Sequence, residues 1–199
     1  RLVRGPRWGD AEKYAQRALE SFAQSLDTCP GVTVEEMELP DQFWQVHEVH
    51  QRIYCRMLAH YFQKECAQPE HVSPVFLEMV ERGRQVTRKE YLGGLEFQTR
   101  VRGTLERMFE EFDVILNLTT GGEALIGLNS QDRLDNCLIW TFCGFPSMSL
   151  PAFAGPAGLP FGIQLVASKY RDYDLLQFAK LLWEEGFIGR APFPMLPAG

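Results

Sequence analysis

Cys143 is the most suggestive nucleophile in the sequence, because it stands directly before Gly144-Phe145-Pro146, a turn that could expose a thiol at a helix end. A cysteine hydrolase also needs a base. The four histidines (His47, His50, His60 and His71) all lie in the first half of the chain, and no Cys–His motif pairs any of them with Cys143. A lone cysteine in apolar text is ordinarily a buried, inert side chain. His47-Glu48-Val49-His50 places two histidines three apart on one helix. The zinc-protease pattern needs them four apart with a glutamate between, and no third ligand accompanies this pair, so no metal site is assigned. The serines are Ser21, Ser25, Ser73, Ser130, Ser147, Ser149 and Ser168, and none sits in a glycine- and serine-rich loop where backbone amides could hold an oxyanion. No catalytic residue is therefore assigned.

The elements that would position any site change character along the chain. Residues 1–4 read as a short strand ended by Gly5-Pro6. Asp10 is a plausible cap for an amphipathic helix over about 10–26, with Ala11, Tyr14, Ala15, Ala18, Leu19, Phe22 and Leu26 at helical spacing. Val32–Leu39 alternates like a strand, and Pro40 stops it. From Asp41 to about Cys66, from 74 to 83, and from Thr87 to Phe112 the pattern is helical, with Gly93-Gly94 as a bend or a point of close packing. Val114-Ile115-Leu116 is a continuous apolar run of the kind buried on both faces of a sheet. A Gly/Thr/Asn loop fills 117–131, and a helix over 134–143 follows. Ser147–Pro151 and Phe161–Ala167 read as paired strands about a turn at 155–160. Asp172 opens a last helix whose apolar face is Leu175, Leu176, Ala179, Leu182 and Trp183. Residues 191–199, with three prolines, read as a surface tail.

The whole chain, 199 residues, is sized for one domain: 1–112 as a mainly helical covering layer and 113–185 as the sheet-forming core. The fold class is α/β, a mixed sheet covered by helices. A net charge of −6 without a basic cluster excludes phosphate-backbone binding and a polybasic membrane surface, so neither nucleic acid nor membrane is an expected partner. No apolar run reaches the roughly 18 residues of a membrane helix, and no signal peptide is evident. Five cysteines, an odd number without a CxxC pair, read as free thiols in a reducing compartment, and the expected location is cytoplasmic.

The run from Asp113 to Leu182 carries a specific series. It begins with Asp113-Val114-Ile115-Leu116, then Thr119-Thr120-Gly121, then Thr141-Phe142-Cys143-Gly144-Phe145-Pro146. Ser147-Met148-Ser149-Leu150-Pro151 follows, then Gly158-Leu159-Pro160-Phe161-Gly162-Ile163-Gln164-Leu165-Val166, and finally Asp174-Leu175-Leu176. In kind and order these pieces resemble the C-terminal half of the amidase signature family. The first half resembles that family mainly in layout.

The resemblance implies a hydrolase that cleaves a carboxamide to a carboxylic acid and ammonia or an amine, without a cofactor. Its nucleophilic serine is activated by a lysine through a second serine on a cis peptide. That triad is absent from this sequence and is expected before Arg1, so the chain is expected to be inactive alone and part of a longer protein. What remains would shape a substrate pocket. The candidates are Thr119, Thr120 and Gly121, with Gly122 and Glu123 beside them, and Trp140, Thr141 and Cys143. The family's prolines around the threonine are missing here. A chain of this kind would leave a sheet edge and an apolar face uncovered, so a homo-oligomer is expected. The alternative is a non-catalytic binding or scaffold protein on the same fold, with Phe142, Phe145, Phe153 and Phe161 as a partner-facing patch.

Overall fold

The computed structural model describes residues 1–127 and 137–189. It divides into two compact units, one formed by Arg1–Pro40 with Leu105 onward, the other by Asp41–Thr104.

The first unit is a mixed α/β layer structure. Its five strands are β1 (Leu2–Val3), β2 (Glu36–Met37), β3 (Val114–Leu118), β4 (Ser147–Ala154) and β5 (Pro160–Ala167). They run in the order β2-β1-β3-β5-β4. β1 is parallel to both β2 and β3, whereas β5 is antiparallel to both β3 and β4. Because side chains alternate across a strand, Leu116 and Leu118 share one face with Ile163, Leu165 and Ala167. That face packs on α1 (Lys13–Leu26) and α7 (Asp172–Glu184) through Ala15, Leu19, Phe22, Leu26, Leu175, Ala179 and Leu182. The opposite face carries Ile115, Asn117, Gln164 and Val166, all buried. α6 (Cys137–Cys143) lies on it, with Ile139, Trp140, Phe142 and Cys143 enclosed. Phe145 stacks on Phe109 with ring centres 5.5 Å apart. Three of the four phenylalanines expected as a partner-facing patch, Phe142, Phe145 and Phe161, are thus core residues, and Phe153 packs partly buried against the core.

Several sequence expectations are corrected here. The strand expected over Val32–Leu39 pairs only at Glu36–Met37, because its neighbour β1 is two residues long and is cut off by Gly5-Pro6. The first helix starts at Lys13, not Asp10, since Asp10 closes a separate 3-10 turn at Trp8–Asp10. On α7, Leu175, Ala179 and Leu182 form the buried stripe. Leu176 and Trp183 sit about 100° further round and are 54% and 52% exposed. The expected tail and the first residues of the helix expected from 134 lie outside the described residues.

The second unit is helical: α2 (Val46–Tyr61), α3 (Gln63–Cys66), α4 (Pro74–Gln85) and most of α5 (Arg88–Met108). Its helix starts are written locally. Ser73 accepts from Phe76 N at 3.2 Å with Pro74 in the first helical position. Thr87 and Glu90 form a reciprocal capping box: Thr87 N donates to the Glu90 carboxylate at 2.8 Å and Glu90 N donates to Thr87 Oγ1 at 3.2 Å. The Thr87 hydroxyl, which also donates to the Glu90 carboxylate at 2.7 Å, and after it the Thr87 amide hold the Glu90 carboxyl below its ordinary value. Of the glycine pair, Gly94 meets the Ile53 side chain of α2 while Gly93 faces open space, so close packing explains the first and not the second. α5 ends at Met108, short of the expected Phe112.

Candidate functional site

β3 ends at Leu118, and the loop that follows is held from three directions. Thr119 N donates to Gly162 O on β5 at 3.0 Å. From the start of α1 and the residue before it, Glu12 N donates to Gly121 O at 2.8 Å, and Tyr14 Oη accepts from Glu123 N at 2.9 Å. From the β4–β5 hairpin turn, Ala157 N and Leu159 N donate to the Glu123 carboxylate, at 2.9 and 3.1 Å respectively. Thr120 Oγ1 closes the loop on itself, donating to Gly122 O at 2.8 Å. The thiol of Cys137, which opens α6, donates to Thr119 O. Such anchoring gives a loop the rigidity a pocket wall requires.

Across the middle of the sheet, Asn117, Gln164 and Ser149 stand opposite one another on three adjacent strands. Asn117 is wholly buried. With its amide oxygen accepting from Trp140 Nε1 at 2.7 Å, its nitrogen donates to Gln164 Oε1 at 3.2 Å and to Leu118 O at 3.1 Å. The indole, the Asn117 amide and the Gln164 oxygen are thereby paired in an otherwise apolar interior. One step along the same face, Thr119 Oγ1 and Ser149 Oγ meet at 3.0 Å over Gly162. Any larger residue at 162 would overlap the Leu150 carbonyl oxygen. The result is a small polar surface of two hydroxyls at the loop's edge, backed by a buried amide pair and an indole.

The structure thus brings Thr119, Thr120 and Gly121 together: Thr119 half-buried, Thr120 exposed, Gly121 buried. Trp140 has no exposed surface and acts from behind, through Asn117. Thr141 is exposed on α6, and Cys143 is fully enclosed. An enclosed thiol cannot meet a substrate, which removes Cys143 as a nucleophile. The hydroxyls of Thr119 and Ser149 are bonded to each other rather than to a histidine, lysine or carboxylate, so neither is activated for attack. Among the described residues no three His, Cys, Asp or Glu side chains converge as metal ligands. His47 and His50 lie in the helical unit, where His50 stacks on Tyr54 and burial, aided by His47, lowers its pKa.

Ser149, Tyr14, Glu12 and the buried Asn117 carry no mark in the sequence that would single them out as site residues. Only strand register could have found Ser149, and no local pattern announces it. A cleft of about 660 Å³ lies elsewhere, bordered by Arg1, Glu35, Asp113, Arg171, Asp174 and Phe178 at the opposite end of β3. Sites in sheets of this class form beyond the carboxyl ends of strands, and the Thr119 loop occupies that position on β3.

Residues 2–176 match the family model described as Amidase. The chain belongs to the amidase family. Among curated relatives, it is 34% identical over 116 residues to one of the subunits of glutamyl-tRNA(Gln) amidotransferase from Desulforudis audaxviator, a match that covers 55% of this chain and 23% of that one. The corresponding polypeptide of Heliobacterium modesticaldum is 34% identical over 100 residues, covering 45% and 20%. Among solved structures, an amidase superposes with a TM-score of 0.78 at 22% identity, over 94% of this chain and 45% of that one. The peptide amidase of Stenotrophomonas maltophilia gives 0.67 at 17%, over 98% and 44%. These structural likenesses establish the α/β fold. The chain spans about a quarter of the length of the curated relatives it matches, and under half of the solved amidases. Among the described residues no helix is long and apolar enough to cross a membrane.

Proposed function

We propose that this chain forms one wall of the substrate pocket of an amidase. The longer protein would hydrolyse a small-molecule carboxamide to a carboxylic acid and ammonia or an amine, with no cofactor, and would work as a homo-oligomer. The observation that carries the reading is the braced Thr119–Glu123 loop. It presents hydroxyl and backbone groups at the carboxyl end of a strand, in a chain whose family match runs almost end to end. Hydroxyls and amides of this kind suit a neutral, hydrogen-bonding group such as a carboxamide. The nucleophile and its base would come from outside these residues. The 199-residue chain alone is then inactive.

Full-length protein should release ammonia or amine from members of a carboxamide panel, and the isolated chain should release none. Thr119→Val and Ser149→Ala in the full-length protein should each raise KM by roughly tenfold, the equivalent of one ordinary hydrogen bond, with kcat nearly unchanged. Turnover by the isolated chain would sink the proposed division of labour. Full-length protein that folds but acts on no amide would favour a scaffold. A second reading, favoured by curated relatives that are named as amidotransferase subunits, is that the full-length protein works beside a different polypeptide. Co-purification of such a partner, in place of a homo-oligomer by sedimentation, would decide for it.

A further inference from the structure

The β4–β5 turn has the form of an anion-binding concavity. Gly155 N donates to Leu159 O, and Gly158 N donates back to Gly155 O, each at 2.9 Å. Gly158 adopts a left-handed φ of +80°, which a glycine takes at no steric cost. The turned backbone leaves Ala157 N and Leu159 N pointing to one spot, as in the backbone nests that hold anions elsewhere. The Glu123 carboxylate fills that spot from a loop more than 30 residues away in sequence. Gly155 makes room for it, since a Cβ there would overlap the Glu123 side chain. On its other side Glu123 is fixed by its own amide, which donates to Tyr14 Oη, and the Tyr14 ring meets Phe161 of β5 edge-on at 5.5 Å.

We infer that Glu123 is a positioning residue: its carboxylate latches the Thr119–Glu123 loop to the 155–159 turn and so sets where Thr119 and Thr120 stand toward substrate. This rests on the reading of that loop as a pocket wall. Glu123 takes no part in bond making, because its oxygens are committed to backbone amides. The latch depends on reach and on acceptor oxygens that both face backbone amides. Glutamine keeps the reach and one acceptor oxygen but sets an NH2 in place of the other. Aspartate keeps the charge but falls one methylene short of the turn.

The test uses the full-length protein with Glu123→Ala, Glu123→Asp and Glu123→Gln, and Ser149→Ala as a pocket variant outside the latch. Hydrogen exchange over 119–123 and 155–159 reads the latch, steady-state kinetics on a carboxamide reads the pocket, and thermal melting monitors folding. Alanine and aspartate should speed exchange in both segments about tenfold and raise KM by a similar factor, with kcat held within about twofold. Glutamine should restore part of both. Exchange unchanged in the alanine variant overturns the latch. So does faster exchange with KM unaltered while Ser149→Ala still raises KM. If neither Ser149→Ala nor the Glu123 variants move KM although exchange quickens, the loop is not a pocket wall, and the inference falls with that reading. Equal loss in all three Glu123 variants, with a collapse in melting temperature, would make the residue merely structural.

Discussion

The helical unit and the sheet unit are specified in different ways. In Asp41–Thr104 the capping bonds and ion pairs are three or four residues apart, as in the Thr87–Glu90 box, the Ser73 cap, Arg52–Glu48 and Arg82–Glu78, while its long-range contacts are mainly helix-on-helix packing, such as Gly83 against the Cys55 carbonyl. In the sheet unit the contacts that shape the candidate site join Glu12 to Gly121, Tyr14 to Glu123, Asn117 to Gln164 and Thr119 to Ser149. Local contacts cost little chain entropy and tolerate loss singly. Long-range ones form only with the whole fold, and several share one space. A substitution at a cap or surface ion pair of the helical unit should therefore act locally and weakly, and one near the site broadly and strongly.

Among changes near the site, the largest effect is expected from Gly162→Val. Its side chain would run into the Leu150 carbonyl in the middle of the β4–β5 pair. Relief requires shifting β4 against β5, and a loss of about 3 kcal/mol is expected by denaturant titration. A near-neutral result would mean that the strands separate easily, and would erase the contrast between the units. Next is Asn117→Leu, which strands the Trp140 indole N–H and the Gln164 amide inside the protein. About 2–3 kcal/mol should be lost. Combined with Gln164→Leu, the loss should fall short of the sum of the two single losses, because the partners are then removed together. Strict additivity would contradict the shared network.

How far the sequence could be read follows the same division. The strand at Val114, the hairpin around Gly158 and the helices from 74 and from Thr87 are visible, since each rests on a local period, a turn residue or a cap, whereas the stretch expected as one helix over 41–66 is broken into a 3-10 turn at Asp41–Gln45, α2 and α3. The Thr119–Gly121 loop was visible as loop chemistry. Hidden were the features that depend on pairing. Ser149 looked like any strand serine until register set it opposite Gln164 and beside Thr119. Glu123 read as a pocket side chain, and its carboxylate proved to be spent on a turn 34 residues on. Leu176 and Trp183 read as core because hydrophobicity does not say which side of a helix a sheet will cover, and both are exposed. Trp140 and Cys143 read as pocket lining because burial is invisible in one dimension.

The smallest effect is expected from Thr87→Ala, which sharpens the comparison from the helical side. It removes the hydroxyl that accepts from Glu90 N and donates to the Glu90 carboxylate. A cap of this kind is worth about 1 kcal/mol. Hydrogen exchange should quicken in the first turn of α5 and stay unchanged over 113–167. The loss should also depend on pH. Because the Thr87 bonds lower the Glu90 pKa in the folded protein, the stability they supply is fully present above the ordinary carboxylate value of 4.5 and fades as pH falls through the lower folded value. The difference between wild type and Thr87→Ala should accordingly be constant near neutrality and shrink in acid. A difference that grew in acid, or an exchange response reaching the strands around Asn117, would show that this cap is coupled to the sheet and that the two units are not specified separately.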